Sequence, residues 1–148
     1  MPKDSFLGTG MKFPPQVNKA TGRFVVSSEE ESVKESIYLI LMTQRSERFI
    51  RPDFGSSLMS YTFMDINVTN VNLMIRSLRE QISLQEPRVR NVKITTDSQV
   101  RDGCLMVDID YEIIDTNTRD NLVFPFYLEA SAEEEEAYEP EQYEEEVE

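Results

Sequence analysis

The chain of 148 residues contains no histidine and a single cysteine, Cys104. Without histidine, neither a Ser-His-Asp nor a Cys-His nucleophilic device can be assembled from it. One cysteine and no histidine cannot supply the usual ligand set of a zinc site, and one cysteine cannot close an internal disulfide. No apolar run approaches the roughly 20 residues that span a bilayer, so direct membrane insertion is not expected. The N-terminus, Met1-Pro2-Lys3-Asp4-Ser5, lacks the long apolar stretch of a signal peptide. The expected place of synthesis is the cytoplasm, with export, if any, inside a larger particle.

What the chain has in excess is acid, and the excess is local. Of 28 Asp and Glu, 11 fall in residues 129–148, where there is no base, whereas the 128 residues before them carry 17 acids and 15 bases. The expectation is one near-neutral domain followed by a low-complexity tail with too little apolar area to fold. A body of this size buries roughly two thirds of its unfolded surface, enough for one core. Near-neutrality also argues against nucleic acid as a partner, because phosphate neutralisation needs clustered Lys and Arg.

Local patterns then divide the chain. Residues 1–22 hold three glycines and three prolines, including Phe13-Pro14-Pro15, and are expected to form an extended arm. Arg23–Ser27 is β-branched and follows Gly22, which suggests a strand. Ser28 precedes Glu31 by three residues, the spacing of a capping box at a helix start. The helix that follows presents Val33, Ile37, Ile40 and Leu41 on one face and is apolar all round from Ile37 to Met42, which predicts central burial. Residues 44–55 form a loop dense in arginine, and a short turn or helix is expected at Ser56–Phe63. A second helix spans Thr69–Gln85, with Val71, Ile75, Leu78 and Ile82 at spacings of 4, 3 and 4, and stops at Pro87. Three strands follow. Val89–Thr96 places Val92 and Ile94 on one face. Cys104–Asp115 alternates strictly between an apolar set (Leu105, Val107, Ile109, Tyr111, Ile113) and a wet one that includes Asp108, Asp110 and Glu112. Asn121–Leu128 contains Pro125, which belongs on an edge or at a bulge.

The fold class is therefore α+β: a compact single domain of order β-α-(short α)-α-β-β-β, its antiparallel meander packed on helices. The expected units are the arm (1–22), the domain (23–128) and the acidic tail (129–148).

Two clusters bear chemistry. In the first, Arg45, Glu47, Arg48, Arg51 and Asp53 lie within nine residues. One reading pairs Glu47 and Asp53 as the two carboxyls of a peptidoglycan-cleaving, lysozyme-like glycosidase. The other is an ionic loop in which three arginines satisfy two carboxylates. Flanking arginines favour the ionised carboxylate, the opposite of what a general acid needs. The second cluster is Glu86-Pro87-Arg88, where a rigid residue separates opposite charges, which either pair with each other or face a partner. Asp53-Phe54-Gly55 lacks the glycine-rich and catalytic loops of a kinase.

Taken in order, Ile40-Leu41-Met42-Thr43, Ser46-Glu47-Arg48, Arg51-Pro52-Asp53-Phe54-Gly55, Glu86-Pro87-Arg88-Val89 and the closing Asn121–Leu128 resemble the signature of the gene-product-twenty-five-like (GPW-type) baseplate wedge family. That family serves contractile phage tails, type VI secretion and extracellular contractile injection systems. The resemblance covers about residues 20–128, with Ser46 where the family usually has glycine. It implies a structural protein, not an enzyme, with no cofactor. It also implies incorporation into a baseplate and three kinds of partner: a larger wedge protein, the contractile sheath protein, and hub or inner-tube proteins. Carried over by position, Glu86 and Arg88 make the contact with the wedge; Pro87 between them and Glu47, Arg48, Arg51 and Asp53 of the arginine loop are expected to bind partners as well. The closing strand, with Val123, Phe124, Pro125 and Phe126, belongs to the sheet that gives the first sheath ring its platform by strand addition. An adaptor whose tail binds a basic partner is the bland alternative.

Overall fold

The computed structural model of the protein describes residues 7–97 and 103–128. The acidic tail, and with it the expectation that it does not fold, lies outside the described residues. Strand β1 (Thr9–Met11) pairs antiparallel with β2 (Val26–Ser28). The arm thus turns back on itself rather than running out extended: Lys12 N donates to the Val25 carbonyl and Val25 N to that of Gln16. The expected strand at Arg23–Ser27 is displaced accordingly, with Phe24 making only an isolated bridge to Val17. The arm also contributes Leu7 to the core.

Helix α1 (Glu29–Met42) starts at Ser28 as expected, but the Ser28 hydroxyl makes no capping bond. Glu31 is drawn instead to Lys12 Nζ at 3.0 Å, so the capping box does not form. Val33, Ile37, Ile40 and Leu41 are buried as the spacing predicts. The helix is not buried all round, however. Met42 is 42% exposed, and Tyr38 is half-buried, sitting between the rings of Phe13 and Phe124 at 6.0 and 5.9 Å.

A 3-10 turn (Leu58–Tyr61) leads to helix α2 (Val68–Gln85), whose start is capped by Asn67 accepting from Asn70 N at 2.8 Å. Its buried stripe is Met74, Leu78 and Ile82, with Val71 and Ile75 half-buried beside it. Strands β3 (Val89–Thr96), β4 (Cys104–Ile113) and β5 (Arg119–Tyr127) form an antiparallel sheet in the order β3-β4-β5. A register shift between Arg90 and Lys93, with Asn91 at φ +53°, puts a bulge in β3. All five alternate residues of β4, Leu105 to Ile113, are buried against the helices and continue into Phe124 and Phe126 of β5. Each such side chain contributes about 1.5–3 kcal/mol on leaving water. Among the described residues, no helix is long and apolar enough to cross a membrane.

Candidate functional site

Both ends of the arginine loop are tied. Ser56 N donates to the Thr43 carbonyl at 2.9 Å and Arg45 N to the Ser56 carbonyl at 3.1 Å, a parallel bridge across the loop's neck. Ser46 takes φ +70°, the left-handed region that favours glycine. Its N–H reaches the Pro52 carbonyl at 2.8 Å. Gly55, at φ +109°, lies so close to the neck that a Cβ there would stand 2.2 Å from the Thr43 carbonyl oxygen.

The loop is not an ionic network. Glu47 accepts from Gln44 N at 2.9 Å, and among the described residues Arg45, Arg48, Arg51 and Asp53 make no ion pair. The Arg48 and Arg51 guanidinium carbons lie instead over Phe54, at 4.4 and 5.6 Å from its ring centroid. A ring face attracts a cation electrostatically while leaving the guanidinium edges free to donate. Between these two arginines, Phe49 is 100% exposed and Ile50 91%. The carboxylates of Glu47 and Asp53 stand on exposed residues.

The second motif touches the first through a residue that sequence reasoning passed over. The Gln85 side chain donates to the Gly55 carbonyl and accepts from Gly55 N, both at 2.8 Å, pairing as a strand backbone would. Nothing local marks Gln85, since a glutamine ending a helix is ordinary. One residue on, Glu86 is 2% exposed and grips Arg88: Nε donates to Oε1 at 2.6 Å and Nη2 to Oε2 at 2.7 Å. Of the two readings left open, internal pairing is thus the one the structure adopts. Burial alone would push the Glu86 carboxyl up, but hydrogen bonds from Arg88 and Ser36, together with the Arg88 charge, hold it below the usual carboxylate range. Arg88 Nη1 also donates to the Leu7 carbonyl at 2.9 Å and the Ser32 hydroxyl at 3.4 Å, fastening the arm and α1 to this turn. Pro87 is exposed beside them.

The closing strand lies apart from these motifs. Phe124 and Phe126 point into the core, while Val123, Pro125 and Tyr127 are exposed. Leu128 N donates to the Gly103 carbonyl and Ile113 N to that of Thr118, which fixes the alternation of the ladder. By that alternation Pro125, opposite Met106, turns its nitrogen away from β4 toward the open edge, so its missing donor costs the sheet nothing. Asn121 also faces this edge, and its N–H is taken by Asp120 Oδ1 at 2.8 Å. On the other edge, Asp97 N donates to the Met106 carbonyl, so Ile94 and Thr96 turn their backbone N–H groups outward. Among the described residues, no group of three or more His, Cys, Asp or Glu could hold a metal ion.

The family model of baseplate wedge protein gp25 matches residues 27–118. The chain belongs to this family. The gp25-like domain superposes with a TM-score of 0.66 on a crystal structure from Geobacter sulfurreducens, a protein provisionally named a tail lysozyme. The two are 44% identical over 73% of this chain and 98% of that one. It also shares its fold with a chain of the anti-feeding prophage baseplate solved by cryo-EM, with a TM-score of 0.57 and 21% identity over 87% and 92% of the two chains. No curated protein sequence matches the chain. This gp25-like chain is a structural component of a baseplate.

Proposed function

We infer that this baseplate component docks on a larger wedge protein through the arginine loop and the adjoining turn, and offers its sheet to the first sheath ring by strand addition. Assembly takes place in the cytoplasm before the particle is used. The observation that supports the wedge contact is the Gln85–Gly55 clamp, which ties the arginine loop to the residue just before Glu86-Pro87-Arg88. In the loop Arg48, Arg51, Glu47 and Asp53 are exposed, and in the adjoining turn Pro87 is exposed and Arg88 half-exposed. Glu86 is too deeply buried to meet a partner itself. Its part is to fix Arg88.

For strand addition, the backbone supplies affinity and alternate side chains supply selectivity. The edge at β5 lacks a donor at Pro125 and has another engaged at Asn121. The β3 edge, with Ile94 and Thr96 N–H outward, is the better template. Val123, Phe124, Pro125 and Phe126 then act as the closed side of the platform. Hub or inner-tube proteins would be reached only through the wedge.

Co-expression with the larger wedge protein and the sheath protein of the same source tests both halves. Arg48→Glu with Arg51→Glu should abolish recovery of the wedge protein. Thr96→Pro removes an outward donor without breaking the ladder and should abolish recovery of sheath, whereas Pro125→Val should leave it intact. Unchanged sheath recovery with Thr96→Pro would overturn the edge assignment. The name carried by the Geobacter relative makes cell-wall hydrolysis the second reading. It requires sugar release from peptidoglycan that disappears on Glu47→Gln or Asp53→Asn.

A further inference from the structure

The arginine loop presents a surface that its own fold leaves unsatisfied. Arg45, Arg48 and Arg51 are exposed and make no ion pair among the described residues, and stacking on Phe54 holds the second and third of them in place. Two apolar side chains, Phe49 and Ile50, stand in water between them. Such a surface suits a peptide in which carboxylates alternate with aromatic rings: guanidinium edges take carboxylates in pairs, and rings cover the apolar tip.

The chain carries a segment of that chemistry. Residues 129–148 include eleven glutamates with Tyr138 and Tyr143 interleaved, and no base. The last described residue before it, Leu128, lines the same groove of about 340 Å³ as Met42 and Met59. Met42 runs into the loop, and Gln44 at the loop's start donates to the hydroxyl of Ser60, next to Met59. Leu128 thus lies close to the loop's neck, and 20 residues span about 25 Å even at the root-mean-square dimensions of a random coil. The other run of bases, Arg88, Arg90 and Lys93, competes poorly, because Arg88 is committed to Glu86 and Arg90 to Glu112 at 2.7 Å.

We propose that the acidic segment 129–148 folds back onto the arginine loop of its own chain, its glutamates on Arg45, Arg48 and Arg51 and its tyrosines over Phe49 and Ile50. Single exposed ion pairs are weak, but a tether makes the contact intramolecular, so that it persists at any protein concentration. A partner that uses the loop must displace the segment first. The contact would therefore shield a sticky tip on the free protein and set a threshold for docking. It requires no particular partner, so it stands or falls separately from the wedge and sheath roles.

The test is solution NMR of the full chain, following the backbone amides of Phe49 and Ile50 with those of Val107 and Ile109 in β4 as the fixed reference. One variant replaces all eleven glutamates of the segment by glutamine at unchanged length. The expected result is a shift of the Phe49 and Ile50 resonances in that variant with β4 unmoved. Raising NaCl from about 0.1 to about 1 M shortens the screening length from about 10 to about 3 Å and should produce the same shift in the natural chain, but none in the glutamine variant. The reciprocal Arg45→Ser, Arg48→Ser, Arg51→Ser variant should move the amides of the acidic segment. Loop resonances identical in the natural and glutamine chains would overturn the proposal. So would a shift that fades on about tenfold dilution, since that behaviour belongs to the segment of a second copy.

Discussion

Two arginine motifs are linked through the contact of Gln85 with Gly55, and they are used in opposite ways. Arg88 is committed inward: it grips a buried carboxylate, an arm carbonyl and a helix hydroxyl. Among the described residues, Arg48 and Arg51 make no ion pair and lie over the face of Phe54. The same side chain thus works as a fastener where it meets a desolvated acid and as a presented charge where it meets an aromatic ring. The first motif holds the fold together, and the second is the one proposed above to meet a partner.

The comparison is broken most forcefully at Arg88. Arg88→Ala leaves Glu86 buried without its counter-charge and should destabilise the domain by about 3 kcal/mol or more, read from denaturant unfolding. Replacing Glu86 and Arg88 together by methionine should recover much of that loss, because no lone charge remains. Gln85→Ala removes both bonds to Gly55 and should lower stability by roughly 1–3 kcal/mol. It should also detach the loop, seen as faster amide exchange at Gly55 with β4 unaffected.

Acid probes the same inward motif more gently. The Glu86 carboxyl titrates below its ordinary 4.5 in the folded chain. The stabilisation it provides is therefore complete above that value and is lost as pH falls through the lower, folded-state value. Melting temperatures measured on descending pH should show this loss in the natural chain and a flatter profile in the Glu86, Arg88 double-methionine variant. The smallest effect on stability is expected from Arg48→Ala with Arg51→Ala. Exposed cation–ring contacts contribute about 0.5–1 kcal/mol, so unfolding should barely move while wedge recovery collapses. Destabilisation as large as that of Arg88→Ala would erase the distinction between the two motifs.

How far the sequence revealed this follows from the range of each interaction. The α1 stripe, the bounds of β3 and the alternation of β4 were legible because helical and strand periods are local properties. The capping box misled because Glu31 was judged against its neighbours, while Lys12 competes for it from 19 residues away. The arm looked extended because proline and glycine report only on local backbone, not on the pairing of Thr9–Met11 with Val26–Ser28. Within the candidate site, the composition of the arginine loop was plain, but its use of Phe54 rather than Glu47 and Asp53 was not. Spacing does not distinguish a ring from a carboxylate as an arginine's partner. The links that fasten the two motifs span 30 residues for Gln85 to Gly55 and 81 for Arg88 to Leu7, beyond any local pattern.

Pro125 has a consequence for the protein while it waits to be assembled. A sheet with two equally receptive rims can stack rim to rim without limit, each new copy leaving a fresh rim exposed. Here the β5 rim is blunted by an absent donor and the β3 rim is not. Self-pairing is thereby confined to β3 against β3, a two-fold contact that uses up both receptive rims and stops at a pair. A single imino acid in the last strand thus denies unassembled copies the head-to-tail geometry from which fibres grow.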